Sequence, residues 1–250
     1  MNDTIDTGGQ KKAWWASALM IGGVISLLCL PIGALGSRVG LWTFELGIPL
    51  LSIGVVLAVI VLVLGIAALI FITVRKQTAQ RNPVVIGVVL SVLVLALMGS
   101  QFMTAVSVPP IHNISTDTQN PPAFDKLVAV RQADGKTNPL EYNAEELAPQ
   151  QLAAYPQVKP LISQAPVSDM FSRAHKALED MGLEVVNADA TAGILEATDT
   201  TFWFGFKDDV VVRVRAEGTG SIVDVRSVSR VGQSDLGKNA ARIMDLMSRL

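Results

Sequence analysis

Charge is scarce in this chain, and the usual carriers of site chemistry are scarcer. Only 17% of its 250 residues are charged, where soluble domains carry about 25%, so an all-soluble enzyme is excluded. One cysteine, Cys29, has no partner in the chain, which excludes a disulfide scaffold. Two histidines, His112 and His175, lack neighbouring cysteines or closely spaced carboxylates, so no metal site is expected. A nucleophile elbow of the G-x-S-x-G kind is absent. Gly218, Thr219 and Gly220 lack the third glycine and following helix of a dinucleotide fingerprint, and no P-loop occurs. No catalytic residue and no cofactor are expected. With 20 basic against 22 acidic residues, the chain is no strongly basic nucleic-acid binder.

The shortage of charge is local. Residues 1–107 hold six Lys/Arg and three acids, a net +3, while 108–250 carry a net −5. No charged residue occurs in 13–37, 46–74 or 82–108. A helix rising 1.5 Å per residue needs about 20 residues to cross a hydrocarbon core of about 30 Å. The three runs therefore predict transmembrane helices near 14–36, 47–74 and 84–107. The first is too long for a signal-peptide core of about 7–15 residues. Glu45 is the only ionisable candidate near a span, and at the edge beside Trp42 and Phe44 it reads as a headgroup-level carboxylate, which argues against a pump or channel. Gly22, Gly23, Gly33, Gly54, Gly65 and Gly87 allow close helix packing, and Pro31 is a possible kink.

Orientation follows from the basic residues. Lys11, Lys12, Arg75, Lys76 and Arg81 fall on one side of the three spans, against Arg38 in the short loop on the other. The positive-inside rule then places the N-terminus in the cytoplasm and 108–250 outside it, across a bacterial inner membrane. Trp14 and Trp15 suit one interface and Trp42 the other.

Nine of the twelve prolines lie in 108–166. Proline lacks the donor that helices need and biases its predecessor toward extended geometry. Residues 108–165 are therefore expected as an extended strap over the domain surface, with Ile111, Ile114 and Phe124 to bury. A short helix near 144–155 is possible, limited by Pro149 to about one turn on either side.

From 166 onward the pattern becomes regular. Ser168 reads as an N-cap, Met170, Phe171, Ala174, Ala177, Leu178 and Met181 recur at helical spacing, and Gly182 is a stop. Extended runs follow at 183–188, 193–198, 210–217 and 221–230, with turns at 189–192 and 218–220. Asp208 and Asp209 read as a turn before the third run. Ser234 reads as the cap of a last helix carrying Leu236, Ala240, Ile243, Met247 and Leu250. The order is α-β-β-β-β-α, an antiparallel sheet with helices on one face, placing a small α+β domain after three transmembrane helices.

Alternation puts Arg213 and Arg215 opposite Val210, Val212 and Val214, and Asp224, Arg226 and Arg230 opposite Val223 and Val225. Four arginines and one aspartate thus share a face. Arginine offers a rigid fork for carboxylate or phosphate, so His112, Asp117, Arg213, Arg226, Arg230 and Ser234 are the candidate ligand-binding residues. The favoured reading is structural pairing of the arginines with Asp224, Glu217 and Asp117. The aromatic run Phe202, Trp203, Phe204 and Phe206 could face lipid, ligand or core, and contact with the core and strap is favoured.

His112-Asn113-Ile114-Ser115-Thr116-Asp117-Thr118 followed by Asn120-Pro121-Pro122-Ala123-Phe124, with Val225-Arg226-Ser227-Val228-Ser229-Arg230-Val231-Gly232-Gln233-Ser234-Asp235-Leu236-Gly237 near the end, resembles the hallmarks of a family catalogued as domain of unknown function 1499. The resemblance covers about 108–250 and implies no biochemical activity. An aspartate often follows the motif's histidine in that family, where this chain has Asn113. The leading expectation is a non-enzymatic, membrane-anchored protein whose outer domain binds an envelope protein or an anionic envelope component. One alternative is an envelope enzyme, with His112 and Asp117 meeting Arg226 and Arg230 in a cleft. The other is the cap subunit of a larger membrane complex.

Overall fold

A computed structural model describes residues 13–135 and 137–250, which form a first compact unit ending at Phe102 and a second over Met103–Leu250. Lys11 and Lys12, used above for orientation, lie outside the described residues.

The first unit holds α1 (Trp14–Arg38), α2 (Phe44–Arg75), a 3₁₀ turn (Thr78–Gln80) and most of α3 (Arg81–Ser107). All three helices are long and apolar enough to cross a membrane. Their packing is inside-out by aqueous standards. On α1 the buried residues are Ala16, Gly23, Ser26, Cys29, Gly33, Ala34 and Gly36, while Ile21, Ile25, Leu28 and Ile32 face outward. Lipid tails are as apolar as leucine, so association there relies on close backbone approach at small residues. A Cβ on Gly54 would lie 2.9 Å from the Ser26 carbonyl oxygen, and one on Gly23 would lie 2.9 Å from that of Gly87. Ser26 also donates its hydroxyl to the Gly54 carbonyl at 2.8 Å. Glu45 is exposed in the first turn of α2, where the helix dipole favours an acid.

The second unit is an α+β domain. Its strands are β1 (Asn113–Ser115), β2 (Leu161–Ser163), β3 (Glu184–Asp189), β4 (Ile194–Thr200), β5 (Lys207–Glu217) and β6 (Gly220–Ser229); its helices are α4 (Lys126–Asp134), α5 (Ala144–Ala154), α6 (Val167–Asp180) and α7 (Lys238–Ser248). The strands run β1-β6-β5-β4-β3, all antiparallel. On the edge of β6 opposite β5, β1 pairs with 226–228 and β2 with 221–223. One sheet face presents Leu195, Ala197, Val210, Val212, Val214, Val223 and Val225 to α6 and α7.

Several sequence expectations need correction. Residues 108–165 are not one extended strap: they form two helices and two short strands, with extended chain only between them. Helix α5 runs unbroken for 11 residues through Pro149, because the ring sits on the exposed side, where solvent reaches the carbonyl it frees. Helix α4 lies against β3 and β4 on the sheet face away from α6 and α7, adding a helix to the second face. Ser168 is inside α6, whose N-cap position is Pro166. Asp208 and Asp209 belong to β5, since pairing with β4 begins at Lys207. Ser234 does not cap α7; Asp235 instead accepts the Gly237 and Asn239 amides, both at 2.8 Å.

Candidate functional site

The second face of the sheet gathers the arginines that alternation places there, beneath α4 and the chain from 116 to 142. Three charged clusters lie along it.

The first centres on Asp209, fully buried. Arg131 of α4 donates to its Oδ2 at 2.7 Å. Arg230 grips both oxygens, at 2.9 and 2.8 Å, and Thr198 donates its hydroxyl at 2.8 Å. Arg230 also pairs with Asp134. Burial pulls the Arg230 guanidinium down, but Asp209 and Asp134 outweigh it and hold its pKa above the ordinary value.

The second cluster is Asp224, likewise buried. Its Oδ2 accepts from Arg213 Nη2 at 2.9 Å and from Arg215 Nη2 at 3.0 Å. Asp117 approaches the same two arginines at 3.3 and 3.7 Å. Glu217, expected in this pairing, makes no ion pair among the described residues, because it ends β5 at the exposed hairpin opposite Gly220.

Between them lies Arg226, 5% exposed and with no carboxylate within ion-pair distance among the described residues. Its Nε donates to Asn113 Oδ1 at 3.0 Å and its Nη1 to the Pro122 carbonyl at 3.2 Å. Nη2 donates to the Leu140 carbonyl. The guanidinium faces the rings of Phe124 and Tyr142, 5.5 and 5.7 Å from their centroids, where the quadrupole attracts a cation. Burial pushes Arg226 down to about 10 and Tyr142 up to about 12. Both hallmark motifs therefore meet here, Asn113, Pro122 and Phe124 from the first and Arg226 from the second.

Two anchors reinforce this face and the other. Glu196, fully buried, accepts the Asp125 and Lys126 amides at 2.8 Å each, placing an anion at the N-terminus of α4. On the α7 side, Arg242 bridges Asp199 at 2.6 Å and Asp208 at 2.7 Å, and donates to Asn239 Oδ1 at 2.7 Å.

Of the sequence candidates, Asp117 and Arg213 meet at 3.3 Å, while the others lie apart. The His112 ring lies 3.3 Å from the Gln233 carbonyl oxygen, and Ser234 accepts the Leu236 amide at 3.3 Å. No hydrogen bond or ion pair joins any two of His112, Asp117, Arg226 and Arg230. His112 instead borders an open depression of about 460 Å³ with Glu141, Glu146, Gln150 and Gln233, which Arg226 and Arg230 do not line. Sequence reasoning missed Arg131, Glu196, Asp209 and Arg242. An acid at an inward-facing strand position would have flagged Asp209 had β5 been started three residues earlier.

The fold thus defines a unit of three helices long and apolar enough to cross a membrane, joined to an α+β domain with a helix-covered sheet on both faces. Residues 113–250 match the family model described as "Protein of unknown function (DUF1499)", and the chain belongs to that family. No curated protein matches the chain.

Proposed function

We propose that this is a multi-pass protein of the bacterial inner membrane, with its N-terminus in the cytoplasm and residues 108–250 in the periplasm. Its outer domain is a non-enzymatic binding or scaffolding module of the cell envelope. The observation that carries this reading is the internal engagement of the arginine face: Arg213 and Arg215 hold Asp224, Arg230 holds Asp209, and Arg226 is spanned by backbone carbonyls and rings. The groups on which an enzymatic cleft would depend are separately occupied. With its guanidinium forks filled, the domain favours a protein partner over an anionic envelope component. Photo-crosslinking in cells tests this, with the crosslinker placed in turn at exposed outer-domain positions such as Leu152 and Ile162. Discrete adducts from neighbouring positions on one face are expected. A scan of the whole outer surface that yields none would overturn the proposal.

A further inference from the structure

Among the described residues of 108–250, five large apolar side chains are exposed: Leu152, Ile162, Val186, Phe202 and Trp203. Single exposed apolar residues are ordinary on a protein surface, whereas a contiguous patch marks a contact. Phe202 and Trp203 are the contiguous case, 65% and 55% exposed, with ring centroids 5.2 Å apart in an edge-to-face pair. Sequence reasoning favoured core and strap contact for this run; only Phe204 and Phe206, stacked at 5.0 Å, are partly covered.

The loop that carries the pair is held rigid. The Thr201 amide donates to the Phe206 carbonyl at 2.8 Å, the Phe206 amide to the Thr201 hydroxyl at 2.9 Å, and the Gly205 amide to the Thr201 carbonyl at 3.1 Å. Gly205 adopts a φ of 69° that closes the turn. The two rings are presented by a fixed turn, so little conformational freedom would be lost on contact.

Strand register places this loop. Thr200 pairs with Lys207, whose carbonyl accepts the Arg230 amide at 2.9 Å. One residue along, Asp208 pairs with Ser229, whose amide donates to the His112 carbonyl at 3.0 Å. His112 therefore enters the sheet at the end from which residues 201–206 project. Strands are spaced about 4.8 Å, so β1 and β4, three positions apart, are separated by about 14 Å across that end. Only residues 108–110 separate the last residue of α3, Ser107, from Ile111, which is already buried in the core. Four virtual bonds reach at most about 14 Å. Helix α3, 27 residues long, spans about 40 Å, roughly 10 Å more than a hydrocarbon core, enough to reach through one headgroup layer.

We propose that the Phe202–Trp203 turn is a second membrane contact of the outer domain, its rings lodged at the boundary between lipid headgroups and acyl chains. Aromatic rings, tryptophan above all, favour that layer. The contact holds whichever side of the membrane the domain occupies, so it stands or falls apart from the binding-module reading.

The test uses the full chain labelled with 5-fluorotryptophan in nanodiscs of phosphatidylethanolamine and phosphatidylglycerol. Fluorine NMR resolves the four tryptophans, and the resonance lost in W203F, or equally in W203Y, is that of Trp203. Nitroxide on the upper acyl chain should broaden that resonance, and an aqueous gadolinium chelate should leave it sharp. Broadening by gadolinium alone, or by both agents alike, would show a turn standing in water and would overturn the proposal. Protection from both agents would show the rings covered by protein, and would overturn it equally.

Discussion

Arg226 and Asp209 illustrate two ways of keeping a charge inside a small domain. Asp209 is surrounded by Arg131, Arg230 and Thr198, so its negative charge holds two cations that would otherwise face each other. Removing one partner of a buried pair costs about 3–5 kcal/mol, because the remaining charge is left uncompensated. D209N should therefore lower the unfolding free energy by about that amount in urea titrations. R226A leaves no orphan anion, only the acceptors Asn113 Oδ1 and the Pro122 and Leu140 carbonyls. An unsatisfied buried acceptor costs about 1–3 kcal/mol, but the space vacated by the propyl-guanidinium group is large enough for water to reach these acceptors, so R226A should cost less than D209N. Equal losses would mean that the rings and carbonyls hold Arg226 as firmly as a carboxylate would.

Tyr142, beside Arg226, gives this cluster a pH signature. Burial raises its phenol to about 12, above the ordinary value of about 10. A group bound more tightly to its proton in the folded state contributes stability that is complete below the unfolded pKa and lost as pH rises through the folded one. Arg226, held down to about 10, titrates in the same window with the opposite sign, so the phenol is read as a difference. Between about pH 10 and pH 12 the wild type should lose on the order of 1 kcal/mol relative to Y142F, which lacks the ionisation, a figure discounted for the half-buried ring. Parallel profiles would remove the phenol from this account.

At the level of elements, residues 108–165 complete the domain. They supply Ile111, Ile114, Tyr155 and Val158 to the core and the two strands that cover one edge of β6. A fragment of 166–250 would lose those contacts, strip Arg226 of its partners, and take Arg131 from Asp209 and the Asp125 and Lys126 amides from Glu196. Residues 108–250 should show a cooperative thermal melt, whereas 166–250 should show none. Equal melting temperatures would reduce the segment to a tether. The four long strands and the helices flanking them were legible because their apolar residues repeat with periods of two and 3.6. Helix α4 was hidden because its buried stripe is Leu127 and Arg131, one apolar residue and one arginine. The arginine face followed from alternation together with Asp224, and Asp117 was named as its partner, but Asp134 and Asp209 were not. Asp134 comes from the segment that prolines made look featureless, and Asp209 sits beside a second acid, which imitates a turn.

For the whole molecule, orientation is the quantity on which the proposed location depends. Arg75 ends α2, Lys76 follows it and Arg81 opens α3, against Arg38 at the end of α1. Alkaline phosphatase fused after Leu250 should be active, and a cytoplasm-dependent fluorophore fused there should stay dark. The reverse pattern would place the α+β domain in the cytoplasm.

Strand β6 takes partners from both ends of the domain: β5 immediately before it, and β1 more than a hundred residues earlier. Closing so long a loop requires the distant segments to exist together. A ribosome releases the chain from the N-terminus onward, so the seats of Asn113, Pro122 and Phe124 are made last, when residue 226 appears. Until then, Asn113–Ser115 has no strand to pair with. A chain interrupted anywhere before β6 would carry its three apolar helices intact and a sheet lacking the strand that joins β1 and β2 to β5, a natural substrate for proteolytic surveillance on whichever side it emerges.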